Sequence, residues 1–151
     1  MKGLSKVVLT LATATMLAGC TTKCSFADFK EAVGKIEDKS YASATVKADG
    51  ETYKTGSVLM GMFVPEVMNE KTAVYFGMVN GSKEMLKSLA IEESKDLTYY
   101  KSFKVAGSQK SGEEVVADVE IVWNKYGWLT KYSYDDKKDN NNDVKFTVSY
   151  K

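Results

Sequence analysis

Residues 120–134 read EIVWNKYGWLTKYSY, and residues 144–150 read VKFTVSY. Apolar and polar side chains alternate in both stretches, as they do in strands with one buried and one solvated face. Just upstream, Val115, Ala117, Val119, Ile121 and Trp123 hold one phase against Val116, Asp118, Glu120 and Val122. Asn124-Lys125-Tyr126-Gly127 has turn composition and sends the chain back through Trp128 to Tyr134. The last strand sets Val144, Phe146, Val148 and Tyr150 against Lys145, Thr147 and Ser149. This part of the chain reads as an antiparallel meander.

Working outward, Leu97 to Val105 is expected to be a strand and Gly107 to Gly112 a polar connection. Ala42, Ala44, Val46 and Ala48 alternate with polar residues, and Asp49-Gly50 is a strong two-residue hairpin signal. The spacing predicts a strand from Glu51 to Val64, ended by Pro65, and another over Lys71 to Val79 (KTAVYFGMV). Residues 82–93 fit either a short helix or a hairpin. At the other end, Ser25-Phe26-Ala27-Asp28 has the form of a helix cap, and Phe26, Phe29, Ala32, Val33 and Ile36 recur at helical spacing. An amphipathic helix over 25–38 follows, weakened by Gly34.

The expected class is α+β: an N-terminal amphipathic helix packed on a curved antiparallel sheet of about six or seven strands, a half-barrel or open barrel. Neither a repeat nor a Pro-rich linker divides residues 25–151, so they are read as one domain.

The chain has 151 residues, 44% of them apolar, and a net charge of +1, which suits a folded domain and offers no polybasic surface for nucleic acid. It has no His, and all 21 basic residues are Lys. Without imidazole the usual neutral-pH base and the commonest zinc ligand are missing, and without Arg so is the bidentate fork. A Lys-favouring codon usage would leave the same pattern. No catalytic residue, metal ligand or cofactor is assigned, and the protein is expected not to be an enzyme.

Lys2 and Lys6 precede an apolar run, Val7 to Met16, that is too short to cross a bilayer but has the size of a signal-peptide core. Leu17-Ala18-Gly19-Cys20 follows, and it resembles the lipobox of bacterial lipoproteins. That resemblance implies cleavage of residues 1–19 and acylation of Cys20. The protein would then be held by acyl chains on the outer side of the cytoplasmic membrane or on the outer membrane. Residues 20–24 would form a tether, of which Thr21 to Cys24 spans at most about 14 Å. Cys24 would be left as a lone thiol, either a passenger or a site for an intermolecular disulfide.

The early helix, the succession of hairpins and the ending EIVWNKYGWLTKYSY…VKFTVSY resemble the lipoprotein-carrier (LolA-like) half-barrels that bind lipid. The resemblance implies an apolar or lipid ligand in a curved sheet. Val58 to Val64 is apolar on both faces of its predicted strand, so Val58, Met60, Met62, Phe76 and Met78 are the candidate ligand-lining residues, with a doubly covered central strand as the other reading. The alternative function is a protein-interaction lipoprotein with no ligand cavity, such as an envelope-complex subunit, adhesin or hydrolase inhibitor. Its aromatic candidates are Tyr41, Tyr53, Tyr132, Tyr134, Trp123 and Trp128, which cross-strand packing would explain equally. Asp135 to Asp143 places oxygen donors at Asp139, Asn141 and Asp143, but Val144 stands where a calcium loop needs Gly, so a solvated hairpin loop is expected.

Overall fold

The computed structural model describes residues 23–101 and 103–151. The predicted signal segment 1–19, Cys20 and the first tether residues lie outside them. Among the described residues, three helices, α1 (Phe26–Gly34), α2 (Glu70–Asn80) and α3 (Ser82–Ile91), accompany eight strands. These are β1 (Ala44–Ala48), β2 (Glu51–Leu59), β3 (Met62–Pro65), β4 (Thr98–Tyr100), β5 (Lys104–Ser111), β6 (Glu114–Trp123), β7 (Leu129–Asp136) and β8 (Val144–Tyr150). They form one open antiparallel sheet in the order β3-β2-β1-β8-β7-β6-β5-β4. The class is therefore α+β with an open antiparallel sheet.

Eight strands replace the expected six or seven, because two predicted strands are split and a third is a helix. The run Glu51–Val64 is a hairpin, because Met60 and Gly61 take φ of 52° and 77° and turn the chain in two residues. The stretch Leu97–Val105 is also divided between β4, which ends at Tyr100, and β5, which begins at Lys104 and runs through the segment expected to be a polar connection. Conversely, KTAVYFGMV is helix. Its β-branched and aromatic residues favour a strand, yet Thr72, Tyr75, Phe76 and Val79 lie at helical spacing and are the buried ones. Asn69 and Thr72 close a reciprocal capping box that starts this helix. Residues 82–91 take the helical alternative. The helix predicted over 25–38 ends at Gly34, and Ser25 caps its start by accepting from the Asp28 N–H.

Val46, Val148, Phe146, Tyr132 and Ile121 follow one another across β1, β8, β7 and β6 on the same face, set by the registers Val46↔Val148, Tyr132↔Phe146 and Ile121↔Tyr132. This face carries the core. Tyr75 of α2 packs on Phe146 with ring centroids 4.9 Å apart, and Phe29 of α1 meets Tyr99 and Phe103 at 5.1 and 6.4 Å. The indole N–H of Trp123 donates to Ser82 O at the start of α3, so a fully buried Trp keeps its polar atom satisfied. Among the described residues, every member of the core cluster lies between Phe29 and Val148.

The sheet is strongly curled. Phe63 of β3 and Trp128, at the start of β7, belong to strands four places apart, about 19 Å in a flat sheet. Their rings nevertheless touch, with centroids 5.5 Å apart, and both meet Tyr150. Asn80, at the end of α2, clamps the same corner. Its amide accepts from Phe63 N–H at 2.7 Å and donates to Phe63 O at 2.9 Å.

Two substitutions grade this arrangement. Trp123→Ala should lower unfolding free energy by about 3–5 kcal/mol through cavity formation. Asn80→Ala should cost about 1–3 kcal/mol by orphaning both backbone groups of Phe63. Urea denaturation checks both, and an Asn80→Ala protein as stable as the parent would refute the clamp.

Candidate functional site

The five predicted ligand-lining residues are not brought together on one strand face. Val58 is half-buried on β2, Met60 is at the β2–β3 turn, and Met62 is on β3. Phe76 is buried inside the helix–sheet core and Met78 is half-buried on α2. None of the five lines any of the grooves described below. The alternation that grouped them ends at the turn, and residues 76 and 78 point about 200° apart on a helix.

A groove of about 500 Å³ runs between α1 and α3. Val33, Ile36, Ala90 and Ile91 supply its apolar surface, and Lys30, Lys83 and Lys87 supply positive charge. Lys83 reaches across to Asp38 at 2.7 Å and sits over the Trp128 ring at 5.6 Å. The hydrogen bond from Lys83 holds the Asp38 carboxyl below the usual carboxylate range. The site is therefore amphipathic, with cations around an apolar floor. The sequence held a partial signal for it, since Lys83 and Lys87 are four residues apart, but the helix that aligns them was ambiguous.

A second groove, of about 630 Å³, opens where the start of α2 faces the β1–β2 turn and the β7–β8 loop. Asp49, Glu70, Lys71, Tyr75, Asp143 and Lys145 line it, so its charges are mixed. The carboxylates of the adjoining acidic loop bond to their own backbone. Asp136 accepts from the N–H groups of Lys138 and Asp139, Asp139 from Asn141, and Asp143 from Asp136. Lys137 bridges Asp118 and Asp135, and Lys138 bridges Glu114. Oxygens engaged in this way hold a hairpin loop in shape.

Four of the six aromatic candidates, Tyr53, Tyr132, Tyr41 and Trp128, divide between two sites. Tyr132 stacks on Phe146 and Tyr53 meets Tyr75, whereas Tyr41, Trp128 and Tyr150 form one cluster with Phe63. The Tyr150 hydroxyl donates to Leu129 O at 2.5 Å, and burial pushes its pKa far above the usual tyrosine range.

On the opposite sheet face, Lys104 of β5 and Glu120 of β6 are both about 1% exposed, and Lys131 of β7 reaches Glu120 at 2.5 Å. Burial pulls the Lys104 ammonium down to about 8, with the Glu120 charge opposing it and Lys131 adding to it. Alternation alone placed Glu120 on a solvated face, because a two-residue period does not report that both faces are covered.

Compared with family models, with curated proteins and with solved structures, the chain has no match in any of the three.

The lowered Lys104 pKa makes stability depend on pH. Between about pH 8 and the unfolded value near 10.5 the unfolded chain binds the extra proton, so unfolding free energy rises with pH. Above about pH 10 the trend reverses, because burial raises Tyr75, Tyr132 and Tyr150 and the unfolded tyrosines ionise first. Thermal unfolding should show a gain on the order of 1–2 kcal/mol between pH 7.5 and 9.5. Lys104→Met should flatten that rise, and an unaltered slope would refute the assignment.

Proposed function

We propose that this protein is a lipid-anchored, non-catalytic component of a bacterial cell envelope that works by binding another envelope protein. The observation that carries this reading is the filled concave face of the sheet. A curved sheet that stores an acyl chain needs an open apolar interior of a few hundred Å³. Here Phe29, Phe63, Phe76, Leu86 and Trp123 occupy that interior with 2% exposure or less. Three helices press on it, as a structural core requires.

Anchoring rests on Leu17-Ala18-Gly19-Cys20 and the short apolar run before it. No described helix is long and apolar enough to cross a membrane. Two or three acyl chains on Cys20 would hold the protein essentially irreversibly, since each buried CH₂ contributes about 0.8 kcal/mol. A protein held in this way stays at its membrane, which suits a fixed binding partner better than a shuttle.

The groove between α1 and α3 favours a second reading. Its apolar floor and three lysines match an amphiphile with an anionic head and an apolar tail. This ligand would sit between the helices and leave the sheet filled.

The Cys20→Ser chain should move from the membrane to the aqueous fraction, and unchanged partitioning would refute anchoring. Native mass spectrometry of residues 20–151 separates the two ligand readings. A bare polypeptide mass is expected, and a co-purified amphiphile released by Lys83→Glu would replace the first reading with the second.

A further inference from the structure

Two hairpin turns of this fold have the same backbone and opposite chemistry. Asp49-Gly50 joins β1 to β2 with φ of 51° and 76°, and Met60-Gly61 joins β2 to β3 with φ of 52° and 77°. Such turns put their first central residue in the left-handed region, where Asp or Asn is well tolerated and a long apolar side chain is uncommon. Met60 nevertheless occupies it, and it is 98% exposed. Its neighbours Leu59 and Met62 are 59% and 53% exposed. These three side chains contribute little to the core and form a projecting apolar tip.

The end of the sheet that carries this tip is also the end by which the chain enters. Lys23 forms a bridge with Tyr100, and the Cys24 N–H donates to Tyr99 O, so the entering chain runs antiparallel to β4. It therefore comes in from the side on which β4 finishes. Because every neighbour in the sheet is antiparallel, β2, β4, β6 and β8 all finish at that end. At that end the backbone N–H of Trp123 donates to Phe103 O between neighbouring strands, and curling brings Trp128 onto Phe63, three residues beyond Met60.

Charge divides along the same axis. The entry end exposes Lys23, Lys39, Lys101 and Lys125, with Lys39 lying over the rings of Tyr41 and Tyr126. Of the acids in the adjoining segment, Glu37 and Asp38, the second is paired with Lys83. The far end carries Asp49, Glu113 and Asp139 in its turns and Glu114 and Asp136 at the adjoining strand ends, with Lys137 and Lys138 of the same loop paired to Asp118, Asp135 and Glu114. An anionic surface would attract the first end and repel the second.

From these observations we infer that the entry end is a membrane-docking surface, in which Leu59, Met60 and Met62 enter the interfacial region of an anionic phospholipid bilayer while the lysines exposed at the same end meet its headgroups. The orientation, with the acidic end directed away from the membrane, rests on the anchoring proposed above. The tip and the charge division are independent of it. A protein partner for the same tip is the competing occupant, and the experiment below separates the two.

The full chain in a Cys24→Ser background, with Met60→Cys labelled by an environment-sensitive fluorophore, is reconstituted into phosphatidylglycerol/phosphatidylethanolamine vesicles containing brominated lipid. Asn141→Cys in the far loop serves as the control. The expected result is a blue shift and loss of fluorescence at position 60, with neither at position 141. Sedimentation of the parent and Cys20→Ser chains with the same vesicles reports the anchor separately. Sedimentation that depends on Cys20, without quenching at position 60, overturns the docking surface and leaves anchoring intact. Loss of both overturns the two together. Equal quenching at positions 60 and 141 overturns the orientation. Position 60 is almost fully exposed, so the labelled chain should keep the parent's thermal unfolding curve.

Discussion

The pairing of β1 with β8 joins two hairpin systems that would otherwise be separate sheets. Ala44 faces Tyr150 and Val46 faces Val148, so the first strand of the chain closes on the last. The logarithmic part of the entropic cost of such a loop is about 4 kcal/mol. Burial of Val46, Phe146 and Val148, each worth about 1.5–3 kcal/mol, offsets that cost. With this seam in place, β3-β2-β1 and β8-β7-β6-β5-β4 become one surface with one apolar face. The helices α2 and α3, inserted between β3 and β4, then have a single place to pack.

Curvature follows from what must fit on that face. Three helices and the rings of Phe63, Trp128 and Tyr150 occupy the concavity, and Asn80 ties the end of α2 to the edge strand. The same packing that stabilises the domain removes the space in which a half-barrel would hold a lipid. The open grooves and exposed apolar side chains lie instead at the rims, in the groove between α1 and α3 and at the two ends of the sheet. Those ends differ in kind. One has apolar and cationic turns beside the chain entry, and the other has acidic turns whose carboxylates bond to their own loop.

Much of the fold was legible where a single face is buried. In β1, β7 and β8 the two-residue period shows directly in the residues, and Asp49-Gly50 marks its turn. Legibility failed where both sides of an element are apolar or where a turn carries unusual residues. Met60-Gly61 interrupts an apolar run without any polar punctuation, so the hairpin read as one strand. KTAVYFGMV holds five strand-favouring residues, Thr72, Val74, Tyr75, Phe76 and Val79, and its helical identity depends on a cap at Asn69 and on what its buried face meets. Of the surfaces weighed for function, the groove between α1 and α3 was hidden because it belongs to two helices distant in sequence.

By itself the sequence determined the antiparallel pattern of the C-terminal strands, the cap that starts α1, the lack of any imidazole or guanidinium group, and the order Leu17-Ala18-Gly19-Cys20 on which the anchoring proposal rests. Each of these is local, readable from neighbours within a few residues. Tertiary structure alone decided that β1 pairs with β8, that the concave face is filled, that Glu120 and Lys104 are buried, and that Met60 projects from the end of the sheet by which the chain enters. Those facts depend on which distant segments share a face, and a curled sheet places residues in contact that lie four strands and many residues apart.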